Sequence, residues 1–232
     1  MEINLSDIYI YEMPDLSYFE YSCDISSFAI KDFIKNQEDN LKQVMEKFQK
    51  QIENDESFKG LDEQDKGSYY DQTYSLEEDT IVEMRRLQHY AIFQLIFANL
   101  ESKMETICKI IDENWNLDIR LAKIKNKSNL DKFWIYLSDI AKIPTYTIRQ
   151  KFDKILSLRF VRNKITHQNG EIRKEDIARI PKSDELILKE NGEISQIQIS
   201  NSEYLINLES EMRTFLDALL RLVDEKYQTL PN

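Results

Sequence analysis

The sequence is poor in residues that interrupt helices, with four glycines and four prolines in 232 residues. Its two cysteines, Cys23 and Cys108, lie in unrelated contexts, which excludes a disulfide framework and predicts packing residues in a reducing compartment. The longest apolar run, YAIFQLIFANL, contains Gln94 and Asn99 and is shorter than the roughly 20 residues that cross a bilayer. The amino terminus lacks a signal-peptide pattern. These shortages predict a soluble, cytoplasmic, mostly helical protein with no membrane association.

Negative charge dominates the chain, which has 42 Asp or Glu, 31 Lys or Arg and a formal net charge of −11. Such a balance argues against indiscriminate binding to a polyanion. Residues 120–182, which we call the basic island, contain sixteen Lys or Arg and six Asp or Glu and so carry +10, which leaves −21 for the rest. Two interpretations stay open: the island attracts a phosphate-bearing ligand, or its cations pair with acidic residues of this chain or of a partner subunit.

Common catalytic signatures are missing from the sequence. It contains no CxxC pair, no HExxH, no glycine-rich phosphate loop and no G-x-S-x-G. Two histidines are too few for a histidine-rich metal site. We therefore predict no metal and no cofactor, and either metal-free acid–base chemistry or no chemistry.

Apolar residues at helical spacing predict a first helix from about Ser26, with the stripe Phe28, Phe33, Ile34, Leu41, Met45, Phe48 and Ile52. The acidic segment 55–75 contains Gly60 and Gly67 and is predicted to be a loop or mobile linker. A second helix is predicted over 76–115, and a third over 128–143 with Ser128 or Asn129 as its N-cap. A fourth runs from about Thr145 to the left-handed cap Asn169–Gly170.

A short β-hairpin and a last helix complete the predicted fold. Asn191–Gly192 lies between alternating apolar residues, a strong signal for a two-residue hairpin turn. The stripe of the last helix, over 202–227, is Leu205, Leu208, Met212, Phe215, Leu219, Leu222 and Val223. The fold class is therefore all-α, a bundle of about five helices with a small β-hairpin before the last. Two parts are predicted, 1–75 and 76–232.

The segment RFVRNKITHQNG, residues 159–170, brings Arg159, Arg162, Asn163 and His167 close together in a predicted helix. On a helical wheel the two arginines and Asn163 continue the arc that is apolar in the first half of the helix, where a charge is costly unless paired or open to a cleft. Imidazole exchanges protons near neutral pH, guanidinium binds phosphate oxygens, and an amide can orient either group. The alternative is that Arg162 only pairs with a carboxylate and His167 only caps helix carbonyls.

The stretch LRFVRNKITH resembles the motif that defines the HEPN superfamily (higher eukaryotes and prokaryotes nucleotide-binding domains). That motif is R-x4-6-H, commonly with Asn, Asp or His directly after the Arg, and Arg162, Asn163 and His167 match it with four intervening residues. The family is an α-helical bundle whose motif lies near the end of a late helix that a final helix follows. The resemblance covers residues 76–232 and does not explain 1–75.

This resemblance implies a metal-independent endoribonuclease whose catalytic residues are Arg162, His167 and Asn163. It also implies a homodimer with a composite active site, RNA as the substrate, and a 2′,3′-cyclic phosphate product. Some family members are toxins or effectors in phage defence and abortive infection, so an antitoxin or other defence-system partner protein is a further expectation. Other members only bind a nucleotide or a protein partner, and a non-catalytic module of that kind is the alternative function.

Glu101, by analogy with acidic residues in the family, and Arg159, from its place on the same polar stripe, are expected to support the motif, and two other positions depart from the family pattern. Glu101 in the second helix is expected to orient Arg162, with Glu83 and Glu105 as alternatives, and Arg159 is a supporting cation. One toxin branch, partnered by a nucleotidyltransferase antitoxin, has a modified tyrosine two residues after the histidine, where this chain has Asn169. His89, four residues after Arg85, does not fit the motif spacing and is interpreted as a structural residue.

Overall fold

The computed structural model describes residues 9–125 and 128–230, and within them the chain is mainly helical. A small antiparallel sheet precedes the last helix, so the predicted fold class is confirmed. The α-helices are α1 Leu16–Glu53, α2 Glu56–Lys59, α3 Glu63–Thr73, α4 Ser75–Asn114, α5 Asn129–Ile135, α6 Arg149–Gln168 and α7 Ser202–Tyr227. The strands are β1 Glu171–Arg173, β2 Leu186–Asn191 and β3 Ile194–Ile199.

Local sequence determines where α5 and α6 begin. Ser128 is the N-cap of α5, and its hydroxyl accepts a hydrogen bond from the Asp131 amide. The π-helical segment Tyr136–Ile140 continues α5. Pro144 comes soon after it, and a proline at this position prevents the helix from continuing. A 3₁₀ turn, Thr145–Ile148, then leads into α6.

Helix α1 starts ten residues earlier than predicted, and its buried face differs from the predicted stripe. Ile34, Leu41 and Phe48 are buried, but Phe28, Phe33 and Met45 are 68%, 43% and 41% exposed, so the stripe is wrong at these three positions. Tyr18, Tyr21, Ile25 and Phe28 are more than half exposed and are spaced three and four residues apart. They therefore form an apolar surface on one face of α1, which we call the α1 stripe.

The prediction of a loop over 55–75 is wrong, because α2, α3 and the first residue of α4 occupy it. Asp55 caps α2 by accepting hydrogen bonds from the Ser57 and Phe58 amides, and Asp62 caps α3 in the same way. The Asp55 carboxylate also accepts hydrogen bonds from Tyr69 Oη at 2.9 Å and Tyr74 Oη at 2.5 Å. Capping and these aromatic contacts order a segment whose acidic, glycine-containing composition favours a loop.

The sheet contains the predicted hairpin and one strand that was not predicted. Its order is β1-β3-β2, with both pairs antiparallel. Gly192 has φ +64°, the left-handed conformation that a tight hairpin turn requires. β1 has only three residues, too few to show a strand period in sequence.

The described chain divides into two compact units, and each combines residues from before and after position 75. The first contains residues up to 30, 95–162 and from 207 onward, and Trp134 stacks on Phe152 within it, with ring centroids 4.1 Å apart. The second contains residues 31–94 and 163–206, with a core cluster of Leu41, Phe48, Tyr74 and Ile81. Both cysteines are buried and free. No helix of the described chain is long and apolar enough to span a bilayer.

Candidate functional site

Helix α6 carries the motif, and Arg159 and Arg162 of the motif segment have carboxylate neighbours. Arg159 donates hydrogen bonds from Nη1 to Asp131 Oδ2 at 2.6 Å and to Ser128 Oγ at 3.0 Å. Both acceptors belong to the start of α5, so Ser128 caps that helix and also holds Arg159. The Arg159 side chain remains 38% exposed. Arg159 is thus a positioned cation that is still accessible to a ligand.

Arg162 is paired with Glu101 of α4. Its Nη2 lies 3.5 Å from Glu101 Oε1, and the two side chains are 29% and 20% exposed. Asn129 Nδ2 is 3.4 Å from the other Glu101 oxygen. The alternatives for this role have other partners, since Glu83 binds Arg86 and Glu105 binds Lys109. A guanidinium matches phosphate oxygens in charge and geometry, so this position suits contact with a phosphate.

Asn163 and His167 are exposed residues of α6. His167 lies in the last turn, because α6 remains helical through Gln168. The imidazole is exposed there, so it can contact a ligand that approaches from solvent.

The end of α6 is closed by the predicted left-handed pair. Asn169 has φ +50° and Gly170 φ +77°, and the Gly170 amide donates a hydrogen bond to the Lys164 carbonyl at 3.0 Å. Arg86 Nη1 donates to the Asn169 carbonyl and to Asn169 Oδ1, each at 3.1 Å. Asn169, which stands where one toxin branch has tyrosine, thus belongs to the cap. Arg86 has no signal in the local sequence, because its contact joins residues 83 positions apart.

Arg86 is one of three neighbouring residues of α4 that fix the sheet and the end of α6. It is 7% exposed, and its hydrogen bonds to Glu83 raise the pKa of the guanidinium and lower that of the carboxylate. The Arg86 Cζ atom lies 4.8 Å from the centroid of the Tyr90 ring. Tyr90 Oη donates a hydrogen bond to the Ile197 carbonyl. His89, 3% exposed, places Nδ1 2.9 Å from the Ile199 carbonyl oxygen. This burial fits the interpretation of His89 as structural.

Several cations of the basic island are paired inside the chain. Lys164 and Arg179 both bind Asp176, at 2.9 and 3.0 Å, and their hydrogen bonds lower the pKa of that carboxyl group. Lys154 binds Glu211 at 2.6 Å. Internal pairing therefore accounts for part of the island, as one of the two open interpretations predicts. On α6 itself, Lys154, Arg159, Arg162 and Lys164 each have a carboxylate neighbour.

The described residues contain no group of three or more His, Cys, Asp or Glu that could hold a metal ion. What α6 offers is an exposed imidazole, an amide and two positioned guanidinium groups. No protein-family model matches the chain, and neither a curated protein nor a solved structure matches it.

Proposed function

We propose that this protein is a metal-independent endoribonuclease of the HEPN type that acts as a homodimer. The observation that carries the proposal is the arrangement of α6, which presents His167 to solvent and holds Arg162 partly exposed beside Glu101. The position of the motif in the last turns of a late helix, before the final helix α7, agrees with the family pattern that the motif resembles.

These side chains support transfer of the phosphoryl group to the ribose 2′-hydroxyl. His167 takes the proton of that hydroxyl, whose oxygen attacks phosphorus while the bond to the 5′-oxygen breaks. Arg162 stabilises the negative charge that develops on the phosphoryl oxygens, and Asn163 orients the phosphate. The products are a 2′,3′-cyclic phosphate and a 5′-hydroxyl, which needs one proton.

A second copy of the chain supplies that proton. Each chain has one motif histidine, whereas the reaction needs both a base and an acid. A two-fold contact between α6 helices near Arg162 brings a second His167 to the same phosphate. Phage defence or abortive infection, with an antitoxin or other partner protein, is the biological setting that the family resemblance supports.

The activity is tested by incubating purified protein with RNA in EDTA and analysing the product ends. We expect cleavage that leaves a 2′,3′-cyclic phosphate, and a loss of ~10²-fold or more in His167→Ala. Lys182→Ala, in the basic island but outside the motif, is the control and is expected to weaken RNA binding only modestly. A strict requirement for divalent metal, or a folded His167→Ala that cleaves as fast as wild type, contradicts the proposal.

The dimer is tested separately by light scattering on two variants. Asn163→Arg places like charges across a two-fold contact of α6 helices and is expected to dissociate the dimer. Tyr21→Ser alters the α1 stripe, an exposed apolar surface that could also mediate self-association, and is expected to leave the dimer intact. If only Tyr21→Ser dissociates the dimer, the interface lies on α1. If a monomer still cleaves RNA, the active site is not composite.

A non-catalytic module is the alternative, and the net charge of −11 favours it because RNA is repelled. In that case His167→Ala and Arg162→Ala weaken binding of a nucleotide or protein, but wild-type protein leaves RNA intact. Expression of wild type beside His167→Ala in cells, followed by inspection of total RNA, distinguishes the two functions.

A further inference from the structure

The middle of α4 has an uncharged sequence on every side of the helix. The 14 residues from Leu87 to Leu100 include no Lys, Arg, Asp or Glu, although such residues make up 31% of the chain. The exposed face of the second half of α1 has, by contrast, many charged residues: Lys35, Asp39, Lys42, Glu46, Lys47 and Lys50. A helix that is uncharged all round is typical of a position that is covered on all sides.

The core covers one side of this stretch and leaves the other exposed. Phe93, Ile96 and Phe97 are fully buried, whereas Leu87 and Leu95 are 49% and 41% exposed. The exposed residues on this side follow one another at spacings of three and four: Met84, Leu87, Ala91, Leu95, Ala98 and Ser102. They therefore lie on one face of α4, about 27 Å long at 1.5 Å per residue. We call this face the α4 strip.

Large and small side chains follow one another along the α4 strip. Ala91 separates Leu87 from Leu95, and Ala98 and Ser102 come next. The small side chains let the backbone of another helix approach, and the leucines can fill the spaces beside small residues of that helix. Two helices pack closely when the side chains of one enter the gaps of the other in this way. The relief of the strip therefore suits a second helix.

The charges at the edges of the α4 strip favour a second copy of this chain over a charged partner. Three carboxylates adjoin the strip, and each has a cation of the same chain beside it: Glu83 with Arg86, Glu101 with Arg162, and Glu105 with Lys109. A basic partner helix therefore gains little from these carboxylates. In a two-fold contact the same surface occurs on both sides, so a charged face would repel itself and an uncharged face does not. Two chains with a net charge of −11 can approach each other on such a face.

We propose that the α4 strip binds the α4 strip of a second copy of this chain. The inference rests on the homodimer of the proposed function and names the apolar surface that holds that dimer together. A helix pair ~27 Å long and ~10 Å wide covers roughly 270 Å² of each chain, less than the ~800 Å² per partner of a standard interface. The motif segment of α6 adds to the contact, because Arg162 lies beside Glu101 at the edge of the strip.

The surface is tested with the full-length protein by light scattering over a range of micromolar concentrations. Leu87→Glu is expected to weaken self-association at least ~10²-fold, because a carboxylate would be buried against an apolar surface. Val82→Glu is the matched control and is expected to leave the dimer unchanged. Val82 is 52% exposed on the same helix, and it lies five residues from Leu87 and so ~140° away around the axis. Leu95→Glu is a second variant of the strip, and thermal melts check the folding of all three.

The outcomes separate this surface from the proposed ribonuclease activity. A wild-type monomer at every concentration overturns the α4 strip as a contact. Wild-type self-association in a folded Leu87→Glu or Leu95→Glu variant, or an equal loss in Val82→Glu, also overturns it, even if wild type cleaves RNA. A dimer that only the two strip variants dissociate supports the strip, even if wild type leaves RNA intact and the proposed function fails. Loss of both the dimer and RNA cleavage in Leu87→Glu, with both retained in Val82→Glu, supports the strip and the composite site together.

Discussion

The surroundings of His89 and His167 differ although both residues lie on long helices a few positions after an arginine. His89 is buried, bonded to the backbone of β3 and surrounded by residues of α1, α4 and the sheet. His167 is exposed in the last turn of α6. A buried imidazole with a fixed tautomer is suited to holding elements together, and an exposed one to exchanging protons. Two histidines at similar distances from an arginine therefore differ in burial and contacts, a difference that the residue type alone does not reveal.

Substitution of Gly170 tests the packing that joins the end of α6 to α4, and it has the largest expected effect on stability. A Cβ at Gly170 would overlap the Tyr90 hydroxyl and lie 2.6 Å from Tyr90 Cζ, and φ is +77°. We expect Gly170→Ala to lower the free energy of unfolding by about 3 kcal/mol, through backbone strain and overlap together. Urea denaturation measures the loss.

Gly192→Ala is the matched control, because φ is +64° there and a Cβ meets nothing within 4 Å. Here only backbone strain lowers the free energy of unfolding, by about 1 kcal/mol. Equal losses in the two variants would mean that Tyr90 moves aside easily and that the contact between α4 and Gly170 is loose.

Substitution of each histidine by alanine measures how much its side chain contributes to the free energy of unfolding. His89→Ala removes a buried hydrogen bond and leaves a void, and is expected to lower the free energy of unfolding by about 2–3 kcal/mol. His167→Ala removes an exposed side chain near a helix end and should cost about 1 kcal/mol or less. Denaturation curves of both variants check the order, and a larger loss for His167→Ala would reverse the assignment of roles.

Much of the secondary structure follows from local sequence, which is why the position of α6 and its left-handed end could be predicted. Ser128 as a cap, Asn169–Gly170 and Asn191–Gly192 act within a few residues of themselves. The helices over 56–73 could not be predicted in this way, because Asp55 gains its tyrosine partners from 14 and 19 residues away. The buried face of α1 also depends on tertiary contacts that helical spacing does not specify.

The candidate site shows the same division between local and distant information. The spacing of Arg162 and His167 is visible in the sequence, and so is the supply of carboxylates on α4. The choice of Glu101 over Glu83 or Glu105 depends on which turn of α4 faces Arg162. The exposed face of α4 was not predicted, because tertiary contacts decide which side of an apolar helix the core covers.

The pH dependence of stability is expected to depend on the buried histidine, His89. Burial lowers the pKa of His89 below its ordinary value of 6.5, while Glu38 partly opposes this and Arg85 adds to it. Below pH 6.5 the unfolded chain therefore binds a proton that the folded chain refuses, so stability falls as the pH falls through this range. Above pH 6.5 His89 is neutral in both states and its contribution is constant.

The variant His89→Asn isolates this effect, because its amide can still donate to the Ile199 carbonyl but does not titrate. We expect wild type to lose more stability than His89→Asn between pH 7 and pH 5, by less than about 1.4 kcal/mol per pH unit. Urea denaturation at several pH values measures the difference. Parallel curves for wild type and His89→Asn would show that His89 is not desolvated.

The smallest expected effect concerns Arg162, whose ion pair provides the fixed part of the motif beside the exposed His167. Glu101 and Arg162 are 3.5 Å apart and each is less than a third exposed, so their coupling in a double-mutant cycle should be about 0.5–1 kcal/mol. The cycle uses Glu101→Gln, Arg162→Gln and the double variant, which keep similar volumes.

If Glu101 positions Arg162 for phosphate, Glu101→Gln should also lower RNA cleavage while His167 remains intact. The matched variant Glu105→Gln removes a neighbouring carboxylate of α4 that binds Lys109, and it should change neither the coupling nor the cleavage rate. A coupling near zero with unchanged cleavage in Glu101→Gln would show that Arg162 needs no carboxylate to hold it, and the contrast between a fixed arginine and a free imidazole on α6 would be lost.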